Sequence, residues 1–126
     1  MIDKWKVIIS YLTAEHAGQP DKNGQFRVLS TMEVLPPQAI CTETYLVAGA
    51  FDTDDEARNY EHYLKTRFVR FLIGQVAVSQ HITKSCFRFV PFQDFTEEWT
   101  DTRLYTKYNL TNEEISFIES IIKPMS

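Results

Sequence analysis

Residues 40–77 read ICTETYLVAGAFDTDDEARNYEHYLKTRFVRFLIGQVA, and this stretch decides the fold class. Its first part, Ile40 to Val47, is rich in β-branched and aromatic residues. Alternation puts Cys41, Glu43 and Tyr45 on one face and Thr42, Thr44 and Leu46 on the other, which predicts a strand. A helix start follows. Thr53 stands three residues before Glu56, the spacing of a capping box, and Asp54 and Asp55 suit the positive end of a helix dipole. From Asp54 to near Ala77, the residues Ala57, Tyr60, Leu64, Phe68, Phe71 and Leu72 recur at helical spacing. Glu61 and Lys65 are placed for a favourable i,i+4 pair. One long amphipathic helix is expected.

Working outward, Trp5 to Ser10 (WKVIIS) reads as a short strand, and Gln25 to Val34 as a second, stopped by Pro36-Pro37. Between them, Gly18, Pro20, Asp21, Asn23 and Gly24 mark a loop. Downstream, Cys86 to Val90 (CFRFV) predicts a strand ended by Pro91. Thr100 caps a short helix to Tyr108. Thr111 with Glu114 forms a second capping box, opening a helix through Ile122 with Ile115, Ile118 and Ile122 inward. Strands lead, a long helix follows, then a strand and two helices. This predicts an α+β fold: a largely antiparallel sheet, one long packed helix and two short C-terminal helices, in one domain over residues 1–126.

The 126 residues are 44% hydrophobic, 13% aromatic and 24% charged, which fits neither a fibrous nor a disordered chain. No apolar run approaches the ~20 residues of a membrane span. Lys4, Lys6, Arg67 and Arg70 interrupt the candidates, so no membrane partner is expected. Two cysteines, Cys41 and Cys86, are too few for a disulfide framework, and a cytoplasmic location is expected.

Thirteen Lys and Arg stand against 17 Asp and Glu, a net charge of −4. At face value this argues against a nucleic-acid partner. The charge is uneven, however. Residues 1–61 carry a net −5 and residues 94–126 a net −4. Residues 62–93 hold Lys65, Arg67, Arg70, Lys84 and Arg88 with no acidic residue. A basic island between acidic flanks suits a polyanion, or else is neutralised by those flanks on folding.

Several chemistries lack their residues. The four glycines, Gly18, Gly24, Gly49 and Gly74, are scattered, so no phosphate-cradling loop is present. Cys41, His81 and Cys86 lack the paired spacing of a zinc site, and no metal or cofactor is expected. Pro20-Asp21 is followed by no Glu-X-Lys or Asp-X-Lys, which a two-metal nuclease core requires. Lys84 lies one position too far from His81 for a His-X-Lys phosphodiesterase motif. Leu35-Pro36-Pro37-Gln38 has the prolines of a base-flipping methyltransferase loop without its functional ends. No catalytic residue is assigned.

Binding candidates are clearer. Arg67 and Arg70 are i,i+3 neighbours suited to bracketing a phosphate. Ser79 to Lys84 is a polar segment without acids, in which Gln80 and His81 are types that read base edges and Lys84 a type that contacts phosphate. Arg88 follows among aromatics, of which Phe87, Phe89, Phe92 and Phe95 are expected in the core.

An ordered series of short motifs resembles a known family. It comprises Cys41 to Val47 (CTETYLV), Arg88-Phe89-Val90-Pro91, Gln93-Asp94-Phe95, Trp99-Thr100-Asp101, Leu104-Tyr105, Lys107-Tyr108, Phe117 to Ser120, and Pro124-Met125. The series is similar to the C-terminal region of bacterial restriction–modification proteins, the Eco57I-like restriction endonucleases and adenine-specific DNA methyltransferases. It spans roughly Ile40 to Met125, and residues 1–39 match less well. The resemblance implies a noncatalytic C-terminal piece of a larger enzyme that contributes to DNA target recognition. Double-stranded DNA and the parent enzyme's catalytic domains would be its partners. Arg67, Arg70, Lys84 and Arg88 would contact phosphates, with Gln80 and His81 at base edges. The alternative is a protein–protein or interdomain docking module of the same system. An exposed apolar patch near Phe92, Phe95 and Trp99 would favour docking.

Overall fold

The computed structural model describes residues 3–10, 32–40, 45–76 and 90–125. Three strands form an antiparallel sheet: β1 (Trp5–Ser10), β2 (Met32–Leu35) and β3 (Tyr45–Phe51), in the order β2-β1-β3. Four helices follow among the described residues: α1 (Asp54–Lys65), α2 (Arg67–Val76), α3 (Asp101–Lys107) and α4 (Asn112–Ile121). The fold is α+β.

Val7 and Ile9 of the central strand are fully buried and belong to the core, with Met32 of β2 and Leu46 of β3 beside them. The register between β1 and β3 slips once: Val7 faces Gly49 and Ile8 faces Val47, so Ala48 is an extra residue on β3. The Tyr60 hydroxyl of α1 donates to the Ala48 carbonyl at 3.1 Å. Gly49 makes that approach possible, because a Cβ there would lie 2.7 Å from the Tyr60 ring. The bulge thus seats α1 on the sheet.

Helix α1 starts where its caps demand, with the Thr53 side chain accepting from Glu56 N–H. Its i,i+4 ion pair is Arg58–Asp54 at 2.7 Å rather than Glu61–Lys65. The expected long helix does not run on to Ala77. It breaks at Thr66, whose backbone is extended (ψ 151°). The Thr66 hydroxyl donates to Tyr63 O at 2.7 Å and accepts from Val69 N–H at 3.2 Å, so it closes one helix and caps the next. Asp101 completes the break from 34 residues away in sequence. Its carboxylate accepts the Arg67 N–H at 3.1 Å and the Phe68 N–H at 2.9 Å. Three otherwise orphaned donors of α2 are thereby satisfied.

The inner stripe is wider than expected. Ala57, Tyr60, Leu64 and Phe68 are buried, and so are Tyr63, Val69 and Ile73, while Phe71 and Leu72 are half-buried. Phe95 is the aromatic hub beneath α1, with ring centroids 5.0 Å from Tyr60, 5.2 Å from Tyr63 and 5.8 Å from Phe51. Burying such a ring contributes roughly 1.5–3 kcal/mol, and edge-to-face pairs add about 0.5–1.5 kcal/mol.

The two C-terminal helices start as expected, capped by Thr100 and by a complete Thr111–Glu114 capping box. Ile118 and Ile122 point inward and Ile115 is half-buried. Three expectations shift. The third strand is described over Tyr45–Phe51 and so runs past Val47; Ile40 is exposed outside any strand, and residues 41–44 lie outside the described residues. The second strand is described over Met32–Leu35 alone. The strand expected at Cys86 to Val90 lies outside the described residues except Val90, which sits in a bend.

Candidate functional site

The two arginines expected to bracket a phosphate sit at the seam between helices. Arg70 is fully buried. Its Nε donates to the Lys65 carbonyl at 3.0 Å and the Thr66 carbonyl at 3.3 Å, at the C-terminal end of α1. A buried guanidinium cannot meet a phosphate on the surface, so Arg70 is corrected from ligand contact to helix tie. Arg67 is half-buried, and its Nε donates to the Ile122 carbonyl at 3.0 Å, closing the C-terminus of α4. Both cations therefore serve helix ends, where the negative dipole favours them. Gln80, His81, Lys84 and Arg88 lie outside the described residues.

Residues of the motif series build a frame around this seam. Trp99 is buried, and its Nε1 donates to Asp94 O at 3.0 Å. Asp94 receives the Thr96 hydroxyl at 2.6 Å and the Thr96 N–H at 3.1 Å, which hold its carboxyl below the usual range. Buried Gln93 donates to Tyr108 Oη at 2.8 Å and lies 3.4 Å from Tyr63 Oη, while Lys107 donates to its Oε1. Tyr63 donates to Pro91 O at 2.6 Å, and Asn59 Nδ2 to Phe95 O at 2.8 Å. Tyr105 of α3 reaches Glu119 of α4 at 3.3 Å. Residues 91–100 are thus pinned to α1 and α3 by polar bonds as well as by Phe95.

Burial pushes the Tyr63 hydroxyl up to about 12, and raises Tyr60 and Tyr105 as well. At neutral pH all three are uncharged and serve as hydrogen-bond donors.

A cationic face on α3 escaped the sequence reading. The Arg103 guanidinium lies 3.9 Å from the Trp99 ring centroid and the Lys107 ammonium 4.8 Å. Arg103 also pairs with Glu97 at 2.8 Å and donates to Glu98 O at 2.7 Å. A shallow cavity of about 550 Å³ lies along Trp99, Thr102, Arg103, Thr106 and Lys107. The signal available in the sequence was the four-residue spacing of 99, 103 and 107, within a segment whose net charge is negative.

Two apolar features also stand out. Phe92 is 81% exposed, against the expectation of a core position, and Phe95 and Trp99 are buried, so of these three rings only Phe92 stands open among the described residues. Phe87 and Phe89 lie outside the described residues. The larger feature is a groove of about 460 Å³ between α2 and α4. Phe68, Phe71 and Leu72 line one wall and Leu110, Phe117 and Ile118 the other, with Glu113 and Glu114 at the rim.

Among the described residues no helix is long and apolar enough to cross a membrane. No family model matches the chain, and no curated protein or solved structure does either.

Proposed function

We propose that this chain is a noncatalytic domain of a restriction–modification enzyme that contributes to recognition of the DNA target. One observation carries the proposal. The residues that bear the resemblance, Gln93, Asp94, Phe95, Trp99, Thr100, Asp101, Tyr105 and Tyr108, are joined to one another and to α1, α2 and α4 by caps, hydrogen bonds and ring contacts. Shared motifs used in this way belong to a rigid platform, and a platform is what a recognition domain supplies to loops that read DNA.

On this reading the DNA contacts come from Lys84 and Arg88, from Gln80 and His81 at base edges, and from Arg67 at the edge of the seam. Arg103 and Lys107 add a second cationic face. Arg70 contributes by holding α1 to α2 rather than by touching phosphate. The test is a duplex-DNA titration at low and higher salt. Binding that weakens as salt rises, with a shallower salt slope in a Lys84→Ala/Arg88→Ala variant, supports the proposal. No binding at low salt, or binding indifferent to salt, overturns it.

A second reading, docking against another protein or domain of the same system, is favoured by the groove between α2 and α4. It requires no free cation, which suits the inward turn of Arg70.

A further inference from the structure

The groove between α2 and α4 combines features that select a partner. Its floor is apolar, with Phe68 and Ile118 buried at its base. Its lip is an exposed ring: Phe117 is 56% exposed and meets Phe71 edge-on at 6.0 Å. Its rim is acidic. Glu113 and Glu114 are exposed in the first turn of α4. Glu114 accepts from the Thr111 N–H, and among the described residues neither glutamate forms a salt bridge. Two helices wall the groove, and its 460 Å³ lies in the size range of sites that hold a few side chains.

We infer that this groove docks an amphipathic helix that carries apolar anchors on one face and Lys or Arg beside them. The inference rests on the docking reading and adds the chemistry of the partner. Apolar anchors at i, i+3 or i+4, and i+7 fill a groove between two helices. Flanking cations answer Glu113 and Glu114, so charge sets orientation and excludes acidic segments. Exposure of Phe117 at the lip makes it the natural anchor contact, because aromatic residues at the centre of an interface carry much of its energy.

The experiment selects phage-displayed random peptides of about 16 residues, roughly four helical turns, on the full chain. Enriched peptides are expected to share apolar residues at helical spacing with Lys or Arg, and to gain helicity on binding. Phe117→Ala is expected to weaken them by at least about tenfold. Glu113→Gln is expected to weaken them and to flatten their salt dependence. Both positions are exposed, and thermal melts verify that each variant folds. Enriched peptides that are acidic or lack helical spacing, yet lose binding in Phe117→Ala, overturn the inference and leave docking intact. Failure to enrich any peptide that depends on Phe117 overturns both. Self-association that disappears in Phe117→Ala, seen by sedimentation, assigns the groove to a second copy and also overturns the inference.

Discussion

Asp101 holds together parts of the chain that sequence alone keeps far apart. It opens α3, and its carboxylate takes two N–H groups at the start of α2. Asp101→Ala should cost about 1–3 kcal/mol in urea unfolding, because charge-assisted bonds to helix N-termini are lost, and Asp101→Asn should recover part of that. A change within about 0.5 kcal/mol would contradict the role. Gly49 is a second such residue. Alanine there must push the Tyr60 ring off the bulge, at a cost of about 1–3 kcal/mol in the same assay. The buried tyrosines set the alkaline limit. Tyr63 has its pKa raised from 10.0 to about 12 by burial, and Tyr60 and Tyr105 are raised as well. A group with a raised folded pKa stabilises fully below its unfolded value and loses that contribution as pH climbs through the folded one. Stability should therefore fall from about pH 10 upward, and Tyr63→Phe should make the fall less steep. Chemical unfolding followed between neutral and alkaline pH reads both outcomes. Residue types gave little warning of any of this. Arg67 and Arg70 have the spacing of a phosphate clamp, but spacing does not reveal that helix carbonyls lie closer to them than solvent does.

Element by element, local chemistry was the best guide where it acts locally. The Thr53, Thr100 and Thr111 starts are side-chain caps three residues long, and all three are present. The strand Trp5–Ser10 and the strand-then-helix order over residues 45–65 were equally legible, from β-branched residues followed by acidic caps. The break at Thr66 was not. The apolar stripe runs on through it, and its cause is partly Asp101, a tertiary contact. Thr66→Ala separates the two possibilities by sign. In one continuous helix alanine would stabilise by up to about 0.7 kcal/mol, as the better helix former. At a break capped by the Thr66 hydroxyl it should destabilise by about 1 kcal/mol. Thermal and urea unfolding of this variant decide between them. The α2–α4 groove was also invisible, since it depends on how two amphipathic helices splay, and each stripe by itself reads as core.

For the whole molecule, the net charge of −4 conceals a basic island over residues 62–93. Folding divides the island. Arg70 is withdrawn into the seam and Arg67 is half-withdrawn, while Lys84 and Arg88 stand outside the described residues. The arithmetic of a segment counts these side chains equally, although burial decides which can meet a polyanion. The motif series fared differently. Its aspartate, tryptophan, threonine and tyrosines build one frame that joins α2, α3 and α4. Target recognition by that platform is the central claim, and one titration bears on it most directly. Duplex DNA is titrated into the chain over a range of salt concentrations, alongside Arg70→Met and Lys84→Ala/Arg88→Ala. The account predicts binding at low salt that weakens as salt rises, and a salt slope shallower by about two in the double variant. It predicts an unchanged slope for Arg70→Met wherever that variant folds. Absent or salt-indifferent binding by the unaltered chain would contradict the claim.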